Sequence, residues 1–327
     1  MIHKIKTAES VAIGHPDKIC DQISDAILDV CLTQDQNSRV AVETMGGHGH
    51  IYITGEITSH ADPDYAAIAK KVYKECGAKD QVEVFVNVAK QSPQIKAGVD
   101  IGGAGDQGIM VGYACDETKE MIPLEISMSR QLTKAMGARD GKSQVTLDGK
   151  KIEKVITSVC GEEYPGEIIK LLNSWGIKEG DGRWLKNPAG KWTIGGFKAD
   201  TGLTGRKLIV DNYGPNVSIG GGCFSGKDAT KVDRSAAYMA RKIAVDLLKL
   251  NKAQEVFVKL AYAIGIAEPV MAIAELHYKS KPMKFVSRIK GYDLTPAGII
   301  KFLDLQKPIF RETAKYGHFG NGFKWDI

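Results

Sequence analysis

No stretch of this 327-residue chain approaches the ~20 consecutive apolar residues that a membrane-spanning helix needs. The opening run MIHKIKTAESVAIGH has no apolar core of signal-peptide length, which points to a cytoplasmic chain rather than a secreted one. The six cysteines (Cys20, Cys31, Cys76, Cys115, Cys160, Cys223) are scattered and include no CxxC pair. That spacing argues against a zinc site and for reduced thiols. Aromatic residues are only 7% of the chain, and 44 Lys plus Arg exceed 39 Asp plus Glu by a mild +5. A nucleic-acid surface needs a concentrated basic patch with stacking rings, so neither number supports one. No low-complexity linker divides the chain.

What is present fits a globular enzyme. Hydrophobic residues are 43%, and the length is ample for a packed core without disulfide or metal staples. Glycine is in excess, 36 residues against an average near ~7%. Such an excess suggests tight turns or backbone lying close to a ligand.

The hydrophobic period alternates between helix and strand. Lys18 to Thr33 places Ile19, Ile23, Ala26, Ile27 and Val30 on one helical face. Arg39 to Met45 and His50 to Ile57 read as strands joined near Gly46-Gly47. Asp62 is positioned to cap a helix that begins at Pro63 and stops at Gly77. Gln81 to Val88 reads as a strand with Val82, Val84, Val86 and Val88 on one face. Further strands are expected at Ile109 to Tyr113, Lys207 to Val210, Val256 to Ala263 and Val270 to Leu276. Further helices are expected at Pro123 to Met136, Pro165 to Trp175, Thr230 to Leu250 and Pro296 to Leu305. Gln144 to Val159 reads as a hairpin turning at Asp148-Gly149. Glycine-rich turns recur at Gly14 to Lys18, Gly102 to Gly108 and Gly220 to Asp228, which hints at three α+β units.

Four segments carry chemistry. In Gly14-His15-Pro16-Asp17-Lys18, proline opens a helix and Asp17 suits its dipole. Unpaired N–H groups at such a start can hold phosphate, with His15 donating to a leaving oxygen and Asp17 holding Mg²⁺. A plain helix start explains the same residues. Gly221 to Lys227 satisfies G-x-x-x-x-G-K, but Asp228 stands where a P-loop needs Ser or Thr, and no clear buried strand precedes it. Thr230 and Asp233 resemble a capping box, flanked by Lys227 and Lys231. Gly103-x-Gly105-x-x-Gly108 matches a dinucleotide fingerprint only formally, because a strand follows it instead of a helix. In Asp200 to Lys207, adjacent Arg206 and Lys207 between glycines suit a polyphosphate, or are solvated surface charge. With Lys142, these residues amount to a triphosphate site without a Walker motif.

Taken together and in order, the segments GHPDKICDQISDAILD, KQSPQI, GAGDQGIMVGYA, GKSQVT, DTGLTGRKLIVDNYG, GGGCFSGKDATKVDRSAAYMAR, YAIGIAEP and YGHFG closely resemble the S-adenosylmethionine synthetase family. They run from Gly14 to Gly320. The resemblance implies three similar α+β domains around a pseudo-threefold axis, divided here as 1–98, 103–193 and 194–327. It implies a homodimer with active sites at its interface. The implied reaction joins ATP and L-methionine by attack of sulfur on ribose C5′, with Mg²⁺ (two per site) and K⁺ as ions. Carried over by motif, His15, Lys142, Arg206, Lys227 and Lys231 are catalytic. The nucleotide positions are His15, Asp140, Lys142, Trp192, Asp200, Arg206, Lys207, Cys223 and Lys227. The methionine positions are Glu56, Gln91, Asp106, Asp200, Lys231 and Ile264. Asp17 and Asp233 match the Mg²⁺ ligands and Glu43 the K⁺ ligand.

The chain also departs from the family. Only Gln94 to Gly103 joins KQSP to GAGDQG, where the family has a longer gating loop. Ile126 to Asp140 and Gly161 to Asp181 are trimmed as well. Trp192 stands for a Phe that lies against adenine, Cys223 for a common Ala, and Ala229 and Phe197 for common Pro. The trimmed surface predicts an assembly that stops at a dimer.

Overall fold

The computed structural model describes residues 5–90, 102–278 and 281–327. Its strands form three four-stranded sheets. In chain order the elements begin β1 (Ile5–Val11), α1 (Pro16–Gln34), β2 (Arg39–Gly47), β3 (His50–Thr58), α2 (Tyr65–Glu75) and β4 (Glu83–Ala89). The middle of the chain holds β5 (Gly108–Cys115), α3 (Leu124–Met136), β6 (Gly141–Asp148), β7 (Lys151–Val159), α4 (Gly166–Ser174) and β8 (Trp184–Lys186). The C-terminal part holds β9 (Gly202–Leu203), α5 (Leu208–Asp211), α6 (Val232–Asn251), β10 (Glu255–Tyr262), β11 (Met271–Tyr278), β12 (Lys281–Arg288), α7 (Pro296–Leu303) and α8 (Phe310–Thr313).

The sheet orders are β4-β3-β2-β9, β1-β6-β7-β8 and β12-β11-β10-β5. Each sheet takes one edge strand from another part of the chain. The first sheet borrows β9, the second β1 and the third β5, so the exchange runs in a cycle. Each sheet also carries one long helix: α1 on the first, α3 on the second, α6 on the third. This is the three-unit α+β architecture, locked by strand exchange rather than joined by linkers. The sequence thirds and the sheets therefore do not coincide strand for strand.

Local chemistry explains the helix that matters most. Pro16 opens α1, and the His15 ring Nδ1 caps it by accepting the Asp17 N–H at 3.1 Å. Ile19, Ile23 and Ile27 are buried as the periodicity requires, but so are Asp17, Lys18, Asp21, Gln22, Ser24 and Asp25. Buried polar groups are costly unless paired, so their partners must lie in the segments packed around α1. The third sheet closes on α6 so tightly that a Cβ on Gly112 would stand 2.1 Å from the backbone of Ala240.

Most expected elements stand where they were read. Four differ. Leu208–Asp211 is a helical turn rather than the expected Lys207 to Val210 strand. Its last carbonyls are capped by the Arg130 guanidinium and Asp211 is drawn onto Lys18, which outweighs the β propensity of LIV. Asp64, not Asp62, caps α2, accepting the Ala67 N–H at 2.9 Å. No Thr230–Asp233 capping box forms: Lys231 is the cap residue, Asp228 takes the Thr230 N–H, and Asp233 pairs with Lys227. The edge strands β1, β8, β9 and β12 were not foreseen.

Candidate active site

The site residues fall into two groups. The first gathers where α1 begins. The Asp17 carboxylate, fully buried, accepts the Leu203 N–H at 3.0 Å and pairs with Arg206 Nε at 3.0 Å and Lys207 Nζ at 2.5 Å. The hydrogen bonds from Lys207 and Leu203 hold its pKa below the usual carboxylate range against the opposing effect of burial. Close packing makes this geometry possible: a Cβ on Gly202 would stand 2.2 Å from Pro16.

His15 is buried, and its pKa is pushed down to about 3 by desolvation, with Lys207 and Lys142 adding to it. The ring is therefore neutral. Because Nδ1 accepts the Asp17 N–H, the ring proton sits on Nε2, which is left as a donor. Lys142 lies on β6 opposite Val11 of β1. Asp140 accepts the Gly196 N–H at 2.9 Å, and burial raises its pKa to about 6, with Asp200 adding to the rise and Lys142 opposing it. Half-buried Trp192 lies on the same run, its carbonyl accepting the Gly161 N–H at 3.0 Å.

The second group surrounds the glycine-rich turn and the start of α6. Lys227 Nζ pairs with Asp233 at 2.6 Å, and Lys231 Nζ pairs with Asp228 at 2.5 Å. The turn runs so close to Asp233 that a Cβ on Gly221 would stand 2.4 Å from its Oδ1 and would push that carboxylate aside. Gly226 has φ +82°, and a Cβ there would stand 1.9 Å from the Val42 carbonyl. Glu43 and Glu56 are diagonal neighbours on one face of the first sheet, since Glu43 pairs with Thr54 and Ala41 with Glu56. Burial raises the Glu43 pKa, with Lys227 opposing and Glu56 adding. Asp106 and exposed Ile264 lie on loops zipped together by Gly265 N–H to Ala104 O at 2.8 Å and Ala104 N–H to Ile266 O at 3.0 Å. Gln91 and most of the Gln94 to Gly103 segment lie outside the described residues. Cys223 packs against Gly205 and burial pushes its thiol well up, so it is not a reactive thiolate.

Three groups of residues were not singled out from sequence for the roles they have here. Asp228, noted only as a broken P-loop position, is a buried carboxylate that also accepts the Val40 N–H at 2.7 Å. Arg234 and Asp25 form a fully buried two-point pair at 2.6 and 2.8 Å, and Arg234 Nη1 also donates to the carbonyls of Phe224 and Lys227. That pair holds the glycine-rich turn against α1. Lys18 with Asp21 and Asp211 is the third. The available signal was the polar stripe Lys18, Asp21, Gln22, Asp25 beside the isoleucine stripe of the same helix.

Among the described residues no three His, Cys, Asp or Glu side chains converge as a preformed metal cage. Asp17 and Asp233 each present a single carboxylate. One carboxylate plus phosphate oxygens is a donor set that suits Mg²⁺.

A three-sheet α+β chain whose cations sit on carboxylates around a helix start and a glycine-rich turn has the makings of a polyphosphate-handling enzyme. Comparison with known proteins narrows the class. The chain matches the S-adenosylmethionine synthetase N-terminal domain over residues 3–95, the central domain over 101–168 and the C-terminal domain over 194–327. It is 42% identical to the S-adenosylmethionine synthase of Sulfurovum sp., covering 98% of this chain and 95% of the relative. It is 42% identical to that of Mycoplasmopsis synoviae (99% and 94%) and 43% to that of Mesoplasma florum (99% and 97%). The chain belongs to the S-adenosylmethionine synthetase family, and its activity class is methionine adenosyltransferase. The alignment with the Sulfurovum protein runs over 367 positions, 40 more than this chain has residues, so the relative carries segments that this chain lacks. No helix among the described residues is long and apolar enough to cross a membrane.

Proposed function

We propose that this chain joins ATP and L-methionine into S-adenosylmethionine, releasing tripolyphosphate that it then hydrolyses to phosphate and pyrophosphate. The observation that carries the reading is the pairing of Arg206, Lys207, Lys227 and Lys231 with buried or half-buried carboxylates at two glycine-lined turns. In the transfer, the methionine sulfur lone pair forms the bond to C5′. The C5′–O bond breaks and its electron pair leaves with the triphosphate. A thioether has no proton to lose, so no general base is needed. The protein's work is orientation and stabilisation of the charge growing on the leaving oxygen.

The neutral His15 Nε2–H donates to that oxygen. Lys142, Arg206, Lys207, Lys227 and Lys231 line the phosphates, where one close charge pair near a surface contributes about 4 kcal/mol before desolvation. Asp140 accepts from the ribose, and the Trp192 indole stacks on adenine. Cys223 packs beneath the nucleotide positions. Glu56, Gln91, Asp106, Asp200, Lys231 and Ile264 orient methionine. Asp17 and Asp233 would hold two Mg²⁺ ions and Glu43 a K⁺, and their chemistry is to neutralise triphosphate charge.

The domain limits remain 1–98, 103–193 and 194–327. The working unit is a cytoplasmic homodimer, not a tetramer, with sites completed at the interface. Its support is the open face of the first sheet, where Met45, Tyr52 and Phe85 stay 41%, 42% and 43% exposed beside Glu43 and Glu56. Light scattering at micromolar concentration should give twice the chain mass, and a stable tetramer would refute the dimer.

The deciding experiment is mass spectrometry of an end-point reaction with ATP, L-methionine, Mg²⁺ and K⁺, each omitted in turn. A sulfonium product that needs both substrates supports the reading. Phosphate release without sulfonium would replace it with a triphosphatase.

A further inference from the structure

The first group depends on two segments that meet through the interior of the protein. His15 and Asp17 open α1, whereas Arg206 and Lys207 lie between β9 and α5. Lys18, the next residue on α1, turns inward and is fully buried. Its Nζ donates to Asp211 Oδ2 at 2.7 Å and to Asp21 Oδ2 at 3.1 Å. The other Asp21 oxygen accepts the Gly205 N–H at 2.9 Å. Asp211 closes α5, and its own carbonyl accepts the His318 N–H at 2.9 Å and lies on the Arg130 guanidinium. One ammonium between two carboxylates thus ties both ends of the Gly205–Asp211 segment to the first turns of α1. Arg206 and Lys207 are the residues held between those ties.

Stability alone does not call for this arrangement. A lysine in the first turn opposes the helix dipole, and a buried ion set is often no more stable than apolar side chains of the same volume. What the triad does supply is a fixed spacing. Three charged groups with directional bonds define one relative placement of two chain segments, as an oily contact would not.

We propose that Lys18 is a positioning residue for adenosyl transfer: through Asp21 and Asp211 it sets the spacing between His15–Asp17 and Arg206–Lys207. This rests on the function proposed above, in which the leaving end of the triphosphate lies between those pairs. Lys18 itself touches no substrate.

The test uses the full chain, with wild-type sulfonium formation measured first. The double variant K18M/D211N keeps the net charge of the triad, and D211N keeps the Lys18–Asp21 pair. An ångström-scale misplacement costs on the order of 10²-fold in rate, so kcat of the double variant should fall about 10²-fold and that of D211N about tenfold. The methionine KM should stay within about threefold, because most methionine positions lie in the other group. Active-site titration and thermal melting separate this from misfolding, which lowers the active fraction rather than the turnover of each active site. Should the double variant not fold, D211N decides alone. A folded variant whose kcat stays near wild type overturns the positioning role, as does a loss confined to methionine KM. A wild-type chain that forms no sulfonium overturns the proposed function and this role with it. An active wild type beside an equally active variant overturns only the role of Lys18.

Discussion

Removing Lys207 should tighten divalent-cation binding while weakening triphosphate binding. Asp17 is completely buried and both of its oxygens are taken: Oδ1 by the Leu203 N–H and Arg206 Nε, Oδ2 by Lys207 Nζ at 2.5 Å. A cation that takes Asp17 as a ligand must displace Lys207, whose side chain is itself only 14% exposed. A hydrogen bond between charged groups with so little solvent is worth about 1.5–3 kcal/mol. Arg206 contributes less, because its side chain is 48% exposed and screened. Taking about 2 kcal/mol for Lys207, Lys207→Met should bind Mn²⁺, a spectroscopic stand-in for Mg²⁺, about 30-fold more tightly without phosphate. The readout is free Mn²⁺ by electron paramagnetic resonance at constant protein concentration, with tripolyphosphate affinity measured by calorimetry on the same samples. Asp17→Asn should lose the Mn²⁺ site. A folded Lys207→Met that binds Mn²⁺ as wild type does, or more weakly, would refute the competition.

Other outcomes follow from the same contacts. The His15 ring should remain neutral down to about pH 4 in the free protein by nitrogen NMR, and its midpoint should move up when tripolyphosphate supplies negative charge; an ordinary midpoint near 6.5 would remove the burial argument. His318 is buried with its Nδ1 at 2.8 Å from Tyr238 Oη, and burial depresses its pKa well below the ordinary value. Below about pH 6.5 the unfolded chain takes up a proton there that the folded chain refuses, so stability is lost as pH falls. Relative to His318→Gln, wild type should lose about 1.4 kcal/mol per pH unit in that range, read from urea midpoints at pH 7 and 5; parallel losses would contradict this. Arg234→Met strands the buried Asp25 carboxylate and should cost about 3–5 kcal/mol in urea unfolding, with a cost near zero as the contrary result.

The legible part of the fold is the part built from local pattern. Pro16 and the isoleucine stripe announce α1, and Asp148-Gly149 announces the β6–β7 hairpin, where Gly149 takes φ +61°. The exchanged strands were not legible because their signal is a partner far away in sequence. β1 turns small Ala8 and Ser10 inward and pairs with β6 more than 130 residues later, at Ile5–Asp148 through Val11–Lys142. β9 is only Gly202–Leu203 and exists because Met45 and Gly46 are there to pair with it. The site divides the same way. Neutral His15 and the cations Arg206, Lys207 and Lys227 stand beside glycines and are conspicuous in sequence. Asp21, Asp211 and Asp228 look like solvated acids until packing buries them.

Buried carboxylates explain how so many cations can wait together in the free protein. Arg206 and Lys207 rest on Asp17, Lys227 on Asp233, and Lys231 on Asp228. Like charges at close range would otherwise destabilise the folded chain. Under the proposed function, a triphosphate would gain its contacts to Arg206, Lys207, Lys227 and Lys231 by breaking these pairs, so ground-state affinity would be discounted by the pairs it displaces. In the proposed transfer, the discount is fixed once the cations have moved, whereas the charge on the leaving oxygen would still be growing as the C5′–O bond stretches. The contacts that strengthen along that path are the ones that raise turnover rather than affinity. Pairing each cation with a carboxylate is therefore a uniform cost: it lowers affinity for the resting complex and the transition state alike, and leaves turnover to the contacts that strengthen on the leaving oxygen.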